Sequence, residues 1–138
     1  MTQSPDSDTL TEGIRVRVAA KYLELDSDPD RGQYVYAYRV HMQNEGDEPA
    51  RLLTRHWIVR DADNEISEHQ GPGVVGEYPH LAPGESFEYM SRCPLATSWG
   101  TMEGVYSMER DDGRAFDVRI GRFFLAQTVA PLETLAAD

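Results

Sequence analysis

The 138-residue chain has one cysteine and no long apolar run, and each shortage excludes a class of protein. Because Cys93 is alone, no intramolecular disulfide can form, which fits a reducing compartment. No stretch approaches the roughly 18 apolar residues of a membrane-spanning helix, and residues 1–12 lack the apolar core of a signal peptide. We therefore expect a soluble, cytoplasmic protein with no membrane partner.

Positive charge is also scarce. The chain has 13 Lys and Arg against 24 Asp and Glu, which gives a formal net charge of −11. An excess of negative charge favours solubility and opposes binding to phosphate backbones and anionic lipid. We therefore expect no nucleic-acid partner on grounds of charge.

Motifs for catalysis and metal binding are missing as well. The sequence has no G-x-S-x-G, and its four histidines show neither H-x-x-x-H spacing nor a C-x-x-C beside them. Nothing near Cys93 in the sequence would lower the pKa of its thiol, so an inert thiol is expected. We predict that the protein is not an enzyme and has no catalytic residues, no metal and no cofactor.

The chain does contain many stretches in which apolar and polar residues alternate with period two, which is typical of strands with one wet face. The clearest is 34–43, where three tyrosines share one face, as suits a β-sheet. The last alternating stretch runs from Ala115 to about Leu125 and holds Phe116, Val118, Ile120 and Phe124. The other alternating stretches are 14–18, 51–60, 66–70, 86–92 and 101–110.

Turn residues separate these stretches. Residues 61–64 and 111–113 have the composition of hairpin turns, and residues 44–47 form a turn that leads into 51–60, the expected partner strand of 34–43. No helical period persists beyond two turns. The sequence therefore predicts an all-β fold of seven or eight strands, an antiparallel two-sheet sandwich, with a closed barrel as the alternative.

Three segments are expected along the chain. Residues 1–12 have the Ser-, Thr- and Asp-rich composition of a disordered arm. Residues 13–126 form the sandwich domain. Residues 127–138 form an acidic tail, either a short helical turn or a segment without fixed structure.

A glycine motif, G-x-G-x-x-G, lies at Gly71, Gly73 and Gly76. In a dinucleotide-binding fold a helix follows this motif and holds the pyrophosphate at its N-terminus. Here Pro79 and Pro83 exclude that helix, and Glu77 places negative charge where a phosphate would lie. We predict a structural bulge or tight turn with positive φ, in which Val74 and Val75 are extended and at least one is buried. Nucleotide binding and a peptide-contacting loop are the alternatives.

Several blocks together resemble the ApaG family over residues 13–126. They are 52–57 (LLTRHW), 71–77 (GPGVVGE), 81–85 (LAPGE) and 102–108 (MEGVYSM). The resemblance implies a fibronectin type III or immunoglobulin-like sandwich. It also implies a domain that occurs alone in bacteria, where it is linked to cobalt resistance and magnesium efflux. Fused copies occur in eukaryotic F-box and DNA-polymerase-interacting proteins, where the domain looks like a protein-binding module.

These observations predict a non-catalytic interaction module with an unidentified protein partner, linked to cobalt and magnesium homeostasis and compatible with a weak homodimer. The alternative hypothesis is a small-ligand, metal or pyrophosphate-binding protein that uses the glycine motif. The candidate binding residues are Arg55, His56, Trp57, Gly71, Gly73, Gly76 and Glu77.

Overall fold

Two antiparallel sheets make up the computed structural model, which describes residues 5–127. Two three-residue 3-10 helices, Glu24–Asp26 and Pro29–Arg31, follow the second strand. No helix in 5–127 is long and apolar enough to cross a membrane. The strands are β1 Ser7–Thr11, β2 Ile14–Tyr22, β3 Tyr34–Asn44, β4 Ala50–Asp61, β5 Ile66–Pro72, β6 His80–Leu81, β7 Ser86–Leu95, β8 Gly100–Arg110 and β9 Ala115–Leu125.

The first sheet has the order β1-β2-β3-β7, and the second has the order β5-β4-β8-β9, with β6 paired to β4. The predicted all-β sandwich is therefore confirmed. The barrel alternative is wrong for the described residues, because their strands form two separate sheets. Residues 5–127 contain nine strands where seven or eight were expected, since β1 and the two-residue β6 were not predicted.

The core lies between the sheets and follows the predicted alternation. Ile14, Val16 and Val18 on β2 are completely buried. At the centre, Trp57 packs edge-on against Tyr38 and Phe123, with ring centroids 5.2 and 6.0 Å away. Edge-to-face packing brings the positive ring edge against a negative ring face, which adds to the gain from burying the aromatic surface.

Two bulges change which residues face the core. The pairing of β4 with β8 shifts between Leu52 and Thr54, so Leu52 and Trp57 are both buried although they differ in phase. The second bulge is in β9, which has one extra residue opposite the Met102–Gly104 segment of β8. It buries Phe123 and leaves Phe124 61% exposed, although Phe124 has the same sequence phase as the buried Val118 and Ile120.

Residues 51–60 are not the partner of 34–43, contrary to the prediction. β3 pairs with β2 and β7, whereas β4 lies in the other sheet. Buried Asn44 holds the crossing, because its amide donates to the carbonyls of Glu48 and Leu81 at 2.8 and 3.0 Å while its oxygen accepts the Gly46 N–H. The connection after β3 therefore passes from one sheet to the other rather than forming a hairpin.

The disordered arm predicted for residues 1–12 is corrected from Ser7 to Thr11, and its first four residues lie outside the described part of the chain. β1 pairs along its whole length with β2, and the Thr9 hydroxyl donates to the Arg119 carbonyl of β9 at 2.7 Å. The segment is polar because it is an edge strand that covers little apolar surface, and its order comes from backbone pairing. The predicted tail lies outside the described residues from position 128 onward.

Candidate functional site

The two long sides of the sandwich differ in whether hydrogen bonds join the edge of one sheet to the edge of the other. On the closed side, formed by β1 and β9, side chains of one sheet bond to the backbone of the other. On the open side, formed by β5 and β7, each strand pairs with one neighbour only among the described residues. The glycine motif follows β5, so most of the predicted binding residues lie on or near the open side.

The glycine motif forms a tight hairpin turn. Val74 and Glu77 exchange backbone hydrogen bonds of 2.9 and 2.8 Å, and the residues between them, Val75 and Gly76, have φ of 43° and 81°. Positive φ at both central positions is the signature of a type I′ turn. The predicted tight turn is confirmed, and Val74 is buried. Val75 is not extended as expected, because it occupies a central turn position and is 55% exposed.

Gly73 is required by close approach to backbone, whereas Gly71 leaves space for a flexible side chain. A Cβ at Gly73 would stand 2.4 Å from the Glu77 carbonyl oxygen, and the residue has φ +60°. A Cβ at Gly71 would stand 2.7 Å from Nη2 of Arg55. One glycine therefore closes the turn, and the other makes room for the Arg55 guanidinium.

Arg55 on β4 holds the glycine turn against the sandwich by side-chain hydrogen bonds. Its Nη1 donates to the carbonyls of Pro72 and Gly73 at 2.8 and 2.9 Å. It forms no ion pair with a carboxylate in residues 5–127. Nearby, the hydroxyls of Tyr89 and Tyr106 lie 2.5 Å apart, and burial raises the pKa of both phenols. This neighbourhood is built from neutral hydrogen-bonding groups and one cation.

The turn has little capacity left to cradle a phosphate. The N–H of Gly73 donates to the Leu53 carbonyl at 2.8 Å, and the N–H groups of Val74 and Glu77 are used within the turn. A phosphate site of this kind needs several free N–H groups pointing at the ligand. Three N–H groups at the turn are therefore used by the fold and are not available to a phosphate.

The remaining predicted residues are divided between two environments. Trp57 is 3% exposed and belongs to the core. His56 lies on the outer face of the second sheet, where its Nε2 is 2.7 Å from a carboxylate oxygen of Glu68. Glu77 is exposed at the turn. Arg55 and the glycines are therefore brought together, whereas His56 and Trp57 lie on opposite faces of β4.

The histidines do not converge on one another. His80 is 2.8 Å from Asp111, and His69 is 3.3 Å from the Ser67 hydroxyl. Within residues 5–127, no group of three or more His, Cys, Asp or Glu side chains is placed to hold a metal ion.

A cleft on the open side was not predicted from the sequence. It has a volume of about 300 Å³, and Trp57, Val59 and Met102 line it from the second sheet. Cys93 also lines it, and burial raises the pKa of that thiol to about 11, so the thiol is protonated and unreactive near neutral pH. The proline at each free edge, Pro72 on β5 and Pro94 on β7, is the sequence signal that could have indicated these edges.

These features define a class: a two-sheet β-sandwich domain with one open side and an arginine-fastened glycine turn. The family model described as the ApaG domain matches residues 24–110. The chain is 49% identical over 117 residues to Protein ApaG of Anaeromyxobacter dehalogenans, covering 85% of this chain and 92% of that protein. The chain therefore belongs to the ApaG family.

Further relatives agree with this assignment. Protein ApaG of Bordetella pertussis is 47% identical, covering 82% of this chain and 86% of that protein. The crystal structure of a Bordetella pertussis protein named ApaA superposes with a TM-score of 0.81 at 46% identity, covering 83% of this chain and 93% of that one. The expected family and its sandwich fold are both confirmed.

Proposed function

We propose that this chain is a non-catalytic, cytoplasmic protein-interaction module whose binding surface is the open side of the sandwich. The observation that supports the proposal is the free edge of β5, which pairs only with β4 among the described residues. A free strand edge offers a row of unpaired backbone donors and acceptors, which many domains use to bind a partner by strand addition.

The exposure of β5 supports the same proposal. Six of its seven residues are exposed, and Ile66 is 52% exposed. Beyond β5, the turn presents Val75 and Tyr78, which are 55% and 49% exposed. The open side thus combines free backbone groups with apolar side chains, as a protein partner would require. The family's link to cobalt and magnesium would then operate through that partner.

Photo-crosslinking in cells of the source organism tests the proposal. A benzophenone amino acid replaces Ile66 on the open side or, as a matched control, Leu10 on β1. The two side chains are 52% and 54% exposed, so accessibility alone does not separate them. We expect a discrete covalent adduct for the probe at position 66 and none at position 10. Equal labelling patterns at both positions would count against the open side as the interaction surface.

The ligand-binding alternative is tested by thermal shift. A tight small ligand raises the free energy of unfolding by mass action, by about 2.7 kcal/mol at a hundredfold excess over its Kd. The melting midpoint rises as a result. Cobalt chloride, magnesium chloride and sodium pyrophosphate are added separately, each at about 1 mM, well above a micromolar Kd. We expect no shift for any of the three, and a shift abolished by replacing Arg55 would favour the alternative.

A further inference from the structure

We propose that the open side binds an extended, positively charged protein segment, which adds to the free edge of β5 and alternates basic and apolar residues. The inference rests on the proposed function and names the chemistry of the partner. Three features of the open side support it: the direction of the backbone groups of β5, the cleft beneath them and the charge around them.

The pairing of β4 with β5 determines which backbone groups are free. The N–H of Gly73 donates to Leu53, and the N–H of Asp61 donates to Glu65, at 2.8 and 3.0 Å. In an antiparallel ladder, alternate residues point their N–H and C=O groups toward the same neighbour. The other set therefore points away from β4 toward the free edge, and it consists of Ile66, Glu68 and Gln70. Pro72 ends this set because it has no N–H.

The faces of an added strand then follow from the period of two. Residues of the added strand opposite Ser67 and His69 would share the inner face, and both of these residues line the cleft of about 300 Å³. Trp57, Val59 and Met102 supply apolar surface there, while Arg92 of β7 lines the same cleft and disfavours basic side chains on the inner face. The inward side chains of the partner should therefore be apolar and of moderate size, such as Val, Ile or Leu.

The acidic residues around β5 determine which side chains the added strand should carry on its outward face. The 31 residues from Asp61 to Ser91, which supply β5, the glycine turn and most of β7, contain seven acidic residues and no Lys or Arg. Asp63 and Glu65 form no ion pair within residues 5–127. Glu68 lies on the outer face at the middle of the free edge and is 58% exposed. Basic side chains opposite Glu68 would complement this charge, and acidic ones would be repelled.

Backbone direction and charge also favour β5 over β7 as the edge to which the partner strand adds. On β7 the residues whose backbone groups point outward include Arg92, which would repel a basic partner, and Pro94, which has no N–H. Glu88 and Arg92 are also matched by Arg39 and Asp26, at 3.9 and 3.5 Å. β7 therefore shows the usual protections of an edge strand, whereas Glu68 on β5 has only the His56 imidazole beside it, at 2.7 Å, and no Lys or Arg partner in residues 5–127.

A designed peptide tests the inference on the full chain. The probe is a fluorescein-labelled, capped peptide of alternating Lys and Val, about seven residues long to span the free edge of β5. One control peptide replaces every Lys by Glu, and the other is N-methylated at alternate residues so that it cannot pair. We expect anisotropy titrations at low salt to show binding by the Lys peptide and at least tenfold weaker binding by both controls.

Protein variants locate the site. Gln70→Pro removes one outward N–H without changing charge, and Glu68→Lys reverses the charge at the centre of the edge. Each should weaken the Lys peptide about tenfold, whereas Glu88→Lys, the same charge change on β7, should have less than a twofold effect. Hydrogen exchange should show the peptide protecting the amides of Ile66, Glu68 and Gln70. That measurement uses the unmodified chain, so the test survives if the proline variant fails to fold.

The outcomes separate this inference from the proposed function. No binding of the Lys peptide, equal binding of the Glu peptide, or protection confined to β7 would each overturn the basic strand at β5. A crosslinked partner at position 66 would still support the interaction module in those cases. If sedimentation shows a dimer that Gln70→Pro dissociates, the free edge binds a second copy of this chain, and the inference is likewise overturned.

Discussion

The closed and open sides of this sandwich are built from the same kind of strand but differ in how their edges are covered. On the closed side, β1 lies against β9: Thr9 bonds to the Arg119 carbonyl, and a Cβ at Gly121 would approach the Thr9 methyl to 2.8 Å. Charges there are matched, because Arg15 pairs with both Asp8 and Glu45 at 2.8 Å. On the closed side, hydrogen bonds at Thr9 and Thr11 therefore join the two sheet edges, and Arg15 is paired with two carboxylates.

The open side differs in both respects. β5 has free backbone groups at Ile66, Glu68 and Gln70, and its one carboxylate, that of Glu68, is paired only with His56 among the described residues. Folding alone gains nothing from such an edge, since an uncovered strand invites unwanted pairing. We infer from this difference that the closed side serves stability, and the open side is the surface proposed above for a partner. The following predictions test this division.

The largest effect is expected from removing β1. A chain that begins after residue 11 loses the pairing of β1 with β2 and its contacts with β9. We expect this to cost on the order of 3 kcal/mol in the free energy of unfolding, and roughly 10 °C in the melting midpoint. Circular dichroism melting measures the change.

The matched change on the open side is Gln70→Pro, which leaves the pairing with β4 intact and should cost at most about 1 kcal/mol. Equal losses for the two variants would contradict the division between a stabilising side and a binding side. An unchanged midpoint after truncation would restore the first expectation that residues 1–12 form a dispensable arm.

A smaller effect is expected in the glycine turn. Gly73→Ala brings a Cβ to 2.4 Å from a backbone oxygen at φ +60°, so we expect a loss of about 2 kcal/mol or more. Gly76 also has positive φ, at +81°, but a Cβ added there would meet no atom within 4 Å, so Gly76→Ala should cost about 1 kcal/mol. Urea unfolding of both variants ranks them. Losses of the same size would mean that φ alone, and not the close approach, requires the glycine.

The smallest effect is expected from titrating the cleft. Burial raises the pKa of Cys93 from its ordinary value of 9.0 to about 11. The folded thiol thus keeps its proton over a range in which the unfolded thiol loses it, so the contribution to stability is complete below pH 9 and declines as pH rises toward 11. Between about pH 8 and pH 10 we expect a loss of about 1 kcal/mol from this group. Urea unfolding of the unmodified chain and of Cys93→Ala measures it, and an equal slope in both would contradict the prediction.

Much of the fold could be predicted from the sequence because its determinants are local. Alternation placed Ile14, Val16 and Val18 on one buried face, since the period of a strand depends only on the backbone. The glycine motif predicted a tight turn, since positive φ depends on the residue type at that position. Strand existence and turn chemistry are both written in neighbouring residues.

What the sequence could not decide depends on contacts between distant segments. Alternation carries no information about which edges meet, so it missed that β4 leaves the sheet of β3 and that β1 lies against β9. A bulge adds one residue to one strand only, so Phe124 could be recognised as exposed only once β8 and β9 were paired. Arg55 looked like a surface binding residue until Gly71 of another strand was found against its guanidinium. Neighbouring residues in the sequence specify the strands, the turns and the family. The open edge, its cleft and the position of Glu68 on it follow from how distant strands pair.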